Sequence, residues 1–519
     1  MANIRRVSQV FFIVLFFFLL IRTQYSGSDE ISYPVKIFLD LDPLFAGLLL
    51  LSSFTVKPIL LLSLITVAVS LVLGRFFCGW VCPFGILHNA AGEVARRPKK
   101  LEHGLYRKSQ TWKYVILVIV AFSGFFSMSI LGVVDPVSLT VRSLSIGIGP
   151  ALESLVRTVF DGIYAHAPGW ASGPSETVYG FLREHVLAFN QPHFFQGALL
   201  GTLFLGLLAL NLVRPRFWCR FVCPLGALLA VLSKASILRL RLKENCDACG
   251  NCVRACPTGA SPALGDGWRK ADCIFCWNCV EACPIEALTI SFGRPRGEEV
   301  RTDMTRRSFL WSAGAGLLAI PLLRISPSEK RPHPRLIRPP GALPEADFLE
   351  RCVKCSECMK VCLTNGLQPT LLEAGLEGTW SPMLVPTVGY CEYSCTLCGQ
   401  VCPTGAIREL SVEEKRKTVI GLAFIDKNRC LPYAFAVNCI VCEEHCPTPD
   451  KAIVFEETEA IDPYGNSVTL KRPVVIPELC IGCGICEYKC PVLDEPAIYV
   501  TNINESRSPQ RSLLIAPKK

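Results

Sequence analysis

The chain has 519 residues and a formal net charge of +9; half of its residues are hydrophobic and only 19% are charged. Its length excludes a small secreted disulfide scaffold as the reason for the 28 cysteines, so metal ligation is the alternative that the spacings must decide. Lys and Arg cluster beside apolar runs, so membrane orientation accounts for the charge and no nucleic-acid partner is needed.

A bilayer core of about 30 Å needs roughly 20 helical residues to cross it. Four segments meet that need, near 7–22, 58–76, 113–133 and 194–213, and they predict an α-helical membrane domain over 1–235. The apolar stretch 44–53 is too short to span and is expected at the interface or as a re-entrant piece. The first apolar run has no small-residue cleavage site, which favours an uncleaved helix over a signal peptide.

Orientation follows from the basic loops. Arg5 and Arg6 precede the first helix, and Arg96, Arg97, Lys99, Lys100, Arg107, Lys108 and Lys113 lie between the second and third. The loop 134–193 has only Arg142, Arg157 and Arg183 against five acids. The basic sides are expected in the cytoplasm, and 23–57 and 134–193 outside it.

Helices two and four then run inward and end on the same motif, FCGWVCPFG at 77–85 and WCRFVCPLG at 218–226. Cys-x-x-x-Cys places two thiols on one face if the helix continues that far. Cys78, Cys82, Cys219 and Cys223 could supply four sulfurs to one metal or cluster, or form redox-active dithiols. Trp80, Phe84, Trp218 and Phe221 are expected as interfacial anchors.

Beyond the fourth helix the chain reads NCDACGNCVRACP and DCIFCWNCVEACP. Both are Cys-x2-Cys-x2-Cys-x3-Cys-Pro, the bacterial run for a [4Fe–4S] cluster, in which the fourth Cys ligates the neighbouring cluster. Cys246, Cys249, Cys252 and Cys283 are expected on one cluster, and Cys273, Cys276, Cys279 and Cys256 on the other, in a ferredoxin domain over 236–298. Structural zinc sites separate two Cys pairs by a dozen or more residues, unlike these runs.

Four further quartets follow, in a domain over 346–519. They are Cys352, Cys355, Cys358 and Cys362; Cys391, Cys395, Cys398 and Cys402; Cys430, Cys439, Cys442 and Cys446; and Cys480, Cys483, Cys486 and Cys490. The second and third of these have stretched gaps. Six quartets take 24 cysteines and the two Cys-Pro motifs take the other four, so none of the 28 is left over. Sequential pairing of quartets and a nested arrangement are both open; the adjacency of the two stretched quartets favours nesting.

Between the ferredoxin regions, in 299–345, stands MTRRSFLWSAGAGLLAIPLLRI at 304–325. Twin arginines before an apolar stretch look like a twin-arginine export signal. A cluster-bearing domain built in the cytoplasm has to leave it folded. Residues 309–324 are then a fifth transmembrane helix, and RPHPRLIRPPGALP at 331–344 is a semi-rigid linker.

On these motifs, residues 1–295 resemble the NapH/MauN-type membrane subunit of periplasmic nitrate reductase systems. Related membrane modules occur in the nitrous-oxide-reduction regulator and in the copper reductase of cytochrome oxidase assembly. Residues 300–519 resemble the NapG/MauM-type four-cluster ferredoxin, so the chain looks like the two fused head to tail. The resemblance implies a membrane-bound quinol dehydrogenase module: electrons from quinol pass through six [4Fe–4S] clusters to a periplasmic redox partner such as a c-type cytochrome or reductase. It implies the bacterial inner membrane, with 236–298 cytoplasmic and 346–519 periplasmic.

The expected fold is thus four to five transmembrane helices plus α+β bacterial-ferredoxin-like domains. No Cys-x-x-Cys-His, P-loop or strand-linked GxGxxG motif is present, which argues against a terminal catalytic site. The alternative reading is a copper-ion reductase or respiratory assembly factor with copper at the Cys-Pro thiols. His88, His166, His185 and His193 are candidates for quinol protons, although a loop His is commonly a surface residue.

Overall fold

The structure is a computed structural model. It describes residues 2–31, 33–53, 60–94, 109–126, 130–166, 169–260, 268–293, 304–324, 333–461 and 464–508. The chain divides into two compact units, and the division does not follow the boundaries expected from sequence. The first is 1–20, 35–144 and 198–323; the second is 21–34, 145–197 and 324–519.

The first unit is a helical assembly with a small sheet. Its helix Ala2–Arg22 contains a 20-residue stretch of mean hydropathy 2.1, long and apolar enough to cross a membrane. One face buries Arg5, Gln9, Phe16 and Leu19, while Val7, Val10, Phe11 and Val14 stay exposed. Helices Leu60–Leu73, Trp112–Phe125 and Gly197–Ala209 are equally apolar but shorter than a full span. The expected spans at 58–76 and 113–133 run into 54–59 and 127–129, which lie outside the described residues. The stretch expected at the interface is a helix, Pro43–Ser53, packed where Leu48 leaves no room for a Cβ at Gly124.

The twin-arginine segment is the helix Arg306–Arg324, with Pro321 inside it. Among the described residues only the N-terminal helix meets the length and hydropathy of a span, so the expected fifth span falls short of it. It packs on Trp112–Phe125 through Gly316, where an added Cβ would stand 3.1 Å from the Ile119 carbonyl.

Each Cys-Pro motif folds as a one-turn helix followed by a sharp stop. Phe76–Trp80 and Phe217–Phe221 carry the first Cys, and Pro83 and Pro224 open the next helices, Pro83–Val94 and Pro224–Ser233. The helix therefore does not continue from the first thiol through the second. Proline disfavours a helical residue before it, and Cys223 is accordingly extended at φ −60, ψ 111. Two strands, β1 (Leu238–Leu242) and β2 (Leu288–Phe292), pair antiparallel and close the ferredoxin loops between them.

The second unit joins a helical hairpin, Gly149–His166 and Gly169–His185, to the C-terminal domain. Among its described residues the domain holds three antiparallel pairs: β3 (Leu367–Pro369) with β4 (Pro382–Leu384), β5 (Leu422–Ile425) with β8 (Ile498–Thr501), and β6 (Ile453–Ile461) with β7 (Ser467–Val475). The segment after the hairpin docks on this domain. Asn190 donates to the Leu363 carbonyl at 2.9 Å, and Gln368 donates to the His193 carbonyl at 2.9 Å. An ionic cluster staples the domain's entry. Glu345 accepts from Arg338 and from Arg507 at 2.9 Å, and Arg338 lies over the Phe348 ring at 4.5 Å.

Candidate iron–sulfur sites

The four regular cysteine loops share one backbone device. Residues on both sides of the second Cys are left-handed: Ala248 and Gly250, Phe275 and Trp277, Lys354 and Ser356, Gly482 and Gly484, with φ between 48° and 82°. This turns successive N–H groups inward, toward sulfur. Phe275 N–H serves Cys273, Lys354 N–H serves Cys352 and Gly482 N–H serves Cys480. Asn278, Glu357 and Ile485 do the same for Cys276, Cys355 and Cys483. The fourth Cys of a run receives its own donor from downstream. Ala260 N–H reaches Cys256 Sγ and Ala287 N–H reaches Cys283 Sγ, both at 3.3 Å; Ile407 reaches Cys402 and Ala497 reaches Cys490 at 3.4 Å.

The thiols gather in fours, and the fourth comes from the partner loop. Burial pushes the Cys279 thiol up, and the next largest effects come from Cys256, Cys273 and Cys276. These four line one cavity with Leu240, Trp268, Phe275 and Ile290. Burial also raises Cys358, helped by Cys355, Cys352 and Cys402. Cys398 is raised by burial and then by Cys391, Cys395 and Cys362. Those four line a second cavity, walled by Leu363, Leu367, Leu384 and Leu397. Cys442 is pushed up to about 12 by burial and by Cys439 and Cys430; Cys430, at about 11 through burial, also feels Cys490. Burial raises Cys486 alongside Cys483 and Cys480, and Cys480 feels Cys446.

Pairing in the C-terminal domain is therefore sequential, and the nested arrangement favoured from sequence is overturned. The physical reason is the sheet topology. The bridge between Ala342 and Ile407 brackets the quartets that begin at Cys352 and Cys391. Strands β5 and β8 bracket those that begin at Cys430 and Cys480, as β1 and β2 do in the first ferredoxin. The two pairs abut where Cys391 N–H donates to the Cys483 carbonyl at 2.8 Å.

The cavities fit cubanes. Their walls are apolar, their donors are soft thiols, and backbone N–H groups point at sulfur. Among the described residues no three Cys, His, Asp or Glu side chains stand close enough to share a single metal ion. A cubane instead spreads its four thiolates over four irons.

The Cys-Pro cysteines also converge. Cys78, Cys82, Cys219 and Cys223 are all buried. Burial raises Cys82, with Cys78 and Cys219 next; it raises Cys223, with Cys219, Cys78 and Cys82 next. The motif rests on the first ferredoxin: Trp80 Nε1 donates to the Phe275 carbonyl at 3.2 Å, and Gly79 abuts the Ile274 carbonyl. Trp80, Phe84, Trp218 and Phe221 are 8% exposed or less, so they are packing residues and not interfacial anchors. Sequence reasoning passed over Arg75 and Arg216, each three residues before the first Cys. The signal was present as Arg-x-x-Cys-x-x-x-Cys-Pro-x-Gly in both copies.

The histidines do not form a site. His166 and His185 are exposed, and His193 contributes its carbonyl to Gln368. His88 is wholly buried beside Asn211, 2.6 Å away, and burial pushes it down to about 4. A carboxyl pair, Asp42 and Asp135, was not foreseen. Both are fully buried and face each other; burial raises Asp42 well above the usual range and Asp135 to about 6, so the pair holds a proton.

Known proteins agree with this geometry. Residues 55–102, 196–243 and 398–418 match a family described as a 4Fe-4S binding domain. Residues 238–284 match a 4Fe-4S dicluster domain, and 473–493 match another 4Fe-4S binding domain. Strand-bracketed cysteine quartets of this kind define a ferredoxin-type electron-transfer protein. The chain belongs to the family of MauM, the methylamine utilization ferredoxin-type proteins: that of Methylobacillus flagellatus is 32% identical over 171 residues, 32% of this chain and 68% of that protein. MauM of Methylorubrum extorquens is 36% identical over 150 residues, 28% of this chain and 66% of that protein. The ferredoxin-type protein NapG of Escherichia coli is 36% identical over 124 residues, 23% of this chain and 52% of that protein. The chain thus spans from about half to 68% of the length of these relatives. No solved structure matches it.

Proposed function

We propose that this chain is a membrane-bound polyferredoxin, a fusion of a NapH/MauN-type membrane module with a MauM/NapG-type ferredoxin, which takes electrons from quinol and delivers them to a periplasmic redox protein. The observation that carries this reading is the sorting of segments between the two units. Apart from the helix-end residues 21–22 and 194–197, the segments 21–34 and 145–197 of the second unit come from stretches expected outside the cytoplasm by their charge, and its remainder, 324–519, follows the twin-arginine segment. All segments expected in the cytoplasm belong to the first unit. Exposed apolar side chains on three helices of the first unit, including Val10, Val14, Leu61, Ile65, Leu199 and Leu203, suit lipid. The short helices at 60–73, 112–125, 197–209 and 306–324 then complete a multi-pass bundle in the inner membrane.

Six [4Fe–4S] clusters are assigned to the 24 quartet cysteines, with the fourth ligand exchanged within each sequential pair. Bound there, the clusters supply one-electron redox chemistry. The protein's own part is to hold them dry, aim N–H groups at sulfur, and set their order. In the C-terminal domain that order runs from the Cys352 quartet through the Cys391 and Cys480 quartets to the Cys430 quartet. Quinol also releases protons, and the buried Asp42–Asp135 carboxyl pair offers a group to take one.

The test uses the full chain, purified anaerobically and returned to liposomes. A quinol analogue should bleach the clusters to a substantial fraction of the dithionite amplitude. Bleaching by dithionite alone overturns the quinol reading. Asp135→Asn should slow the quinol reaction about 100-fold and leave dithionite reduction unchanged. Reporter fusions within 290–345 check sidedness; a cytoplasmic signal beyond 345 overturns the topology.

A further inference from the structure

The two Cys-Pro motifs face each other as near copies related by exchange of their arginines. Arg216, from the second motif, donates through Nη1 to the carbonyl of Cys78 in the first, at 2.9 Å. Arg75, from the first, stands 2.7 Å from where a Cβ would lie on Gly226 of the second, and its Nη2 is 4.0 Å from Cys78 Sγ. Gly85 and Gly226 are required for this approach. A Cβ at Gly85 would meet the Cys78 carbonyl at 2.6 Å, and one at Gly226 would meet Cys223 Sγ at 3.3 Å. Gly226 N–H donates to Cys223 Sγ at 3.1 Å.

Charge decides what the site holds. Arg75 and Arg216 are 2% and 1% exposed. Arg75 Nε and Arg216 Nε and Nη2 are buried with no hydrogen-bond partner in the protein. The nearby carboxylate, Asp272, is bound to the buried Lys113. Neutral thiols or a disulfide would leave two guanidinium groups uncompensated in an apolar interior, which costs several kcal/mol per ion. A metal ion bound by three or more side chains would need them close together, and the described residues offer no such group. A cubane on four thiolates is a net anion, which two guanidinium groups would balance.

We propose that Cys78, Cys82, Cys219 and Cys223 together hold one further iron–sulfur cubane, charge-balanced by Arg75 and Arg216. The site assigns both matched 4Fe-4S segments, 55–102 and 196–243, to one shared centre instead of two separate ones. It stands against the Cys273–Cys279 loop through Gly79 and Trp80. This inference does not depend on quinol as donor, so a protein that ignores quinol leaves it intact.

Native mass spectrometry of the full chain, purified anaerobically in detergent, should give a mass with seven clusters. In Cys78→Ser/Cys219→Ser one cluster's mass and about four irons should go, with the other six clusters retained. Mössbauer spectra of iron-57 material should lose the matching share of signal. Arg216→Met keeps all four thiols, and one centre should shift to a more negative potential. A wild-type mass with six clusters overturns the proposal, as does an unchanged mass and spectrum in the double variant. Copper or zinc mass in place of the seventh cluster overturns it as well. Should the double variant not fold, the wild-type count and the Arg216→Met potential still decide.

Discussion

The regular and the stretched cysteine loops reach the same end by different backbones. In the regular loops two left-handed residues wrap the second Cys, and this fixes the two-residue gaps that made them readable. Two of the positions hold bulky side chains, Phe275 and Trp277, in a conformation that costs such residues roughly 1–2 kcal/mol. The stretched loops at Cys391 and Cys430 have no such pair. Cys430 instead precedes a short helix, Leu431–Ala434, and takes its donor from Tyr433 N–H. Spacing is therefore a record of one way of turning the chain, whereas the strand that closes each pair decides which sulfurs meet.

The sharpest way to break this contrast is to remove an exchanged ligand. Cys402→Ser should disable the cluster on Cys352, Cys355 and Cys358 and spare the one on its own loop; Cys490→Ser should likewise damage the Cys430 cluster. Cluster-resolved EPR reads this out; loss of the Cys430 cluster in Cys402→Ser, with the Cys352 cluster intact, would restore the nested scheme. Next in size is Glu345→Gln, which leaves the buried Arg338 without its carboxylate and should cost about 3–5 kcal/mol in the C-terminal domain. Burial would raise Glu345, but Arg338 and then Arg507 override it and hold it at about 2. A depressed carboxyl stabilises above its unfolded pKa and loses that effect as pH falls. The difference between wild type and variant in denaturant midpoint should stay flat from pH 7 to 5 and shrink from about 4.5 toward 2.

Smaller effects separate the loop types further. Gly482 lies at φ 73, where a Cβ would meet Gly421 N at 2.4 Å. Gly482→Ala should cost about 3 kcal/mol in thermal or denaturant unfolding, while Gly465→Ala, left-handed at φ 88 but with open space around it, should carry only the backbone cost of about 1–2 kcal/mol. The smallest change is Thr448→Val. Its hydroxyl lies 3.2 Å from Cys446 Sγ. Losing a hydrogen bond of about 1 kcal/mol should make one centre more negative by about 40 mV in a redox titration.

Much of this was legible beforehand, for physical reasons. Four thiols within eleven positions have few uses, and Cys-Pro recurs because proline opens the next helix. The exchange of Cys256 and Cys283 could be read because both loops are regular and adjacent. Pairing in the C-terminal domain could not, because β6 and β7 are inserted between Cys446 and Cys480 and hide that β5 and β8 enclose both quartets. Arg75, Arg216 and the Asp42–Asp135 pair were missed because a charge inside an apolar unit has meaning only once its neighbours are known.

The strand pairing also sets a timetable for biosynthesis. Ile425 waits for Ile498, so the downstream pair of quartets stays open until the ribosome has passed both. The upstream pair is complete once Ile407 has met Ala342. Cluster loading of the domain can thus begin at its N-terminal half while the remainder is still being translated, and completion of the downstream pair is gated by the docking of β8.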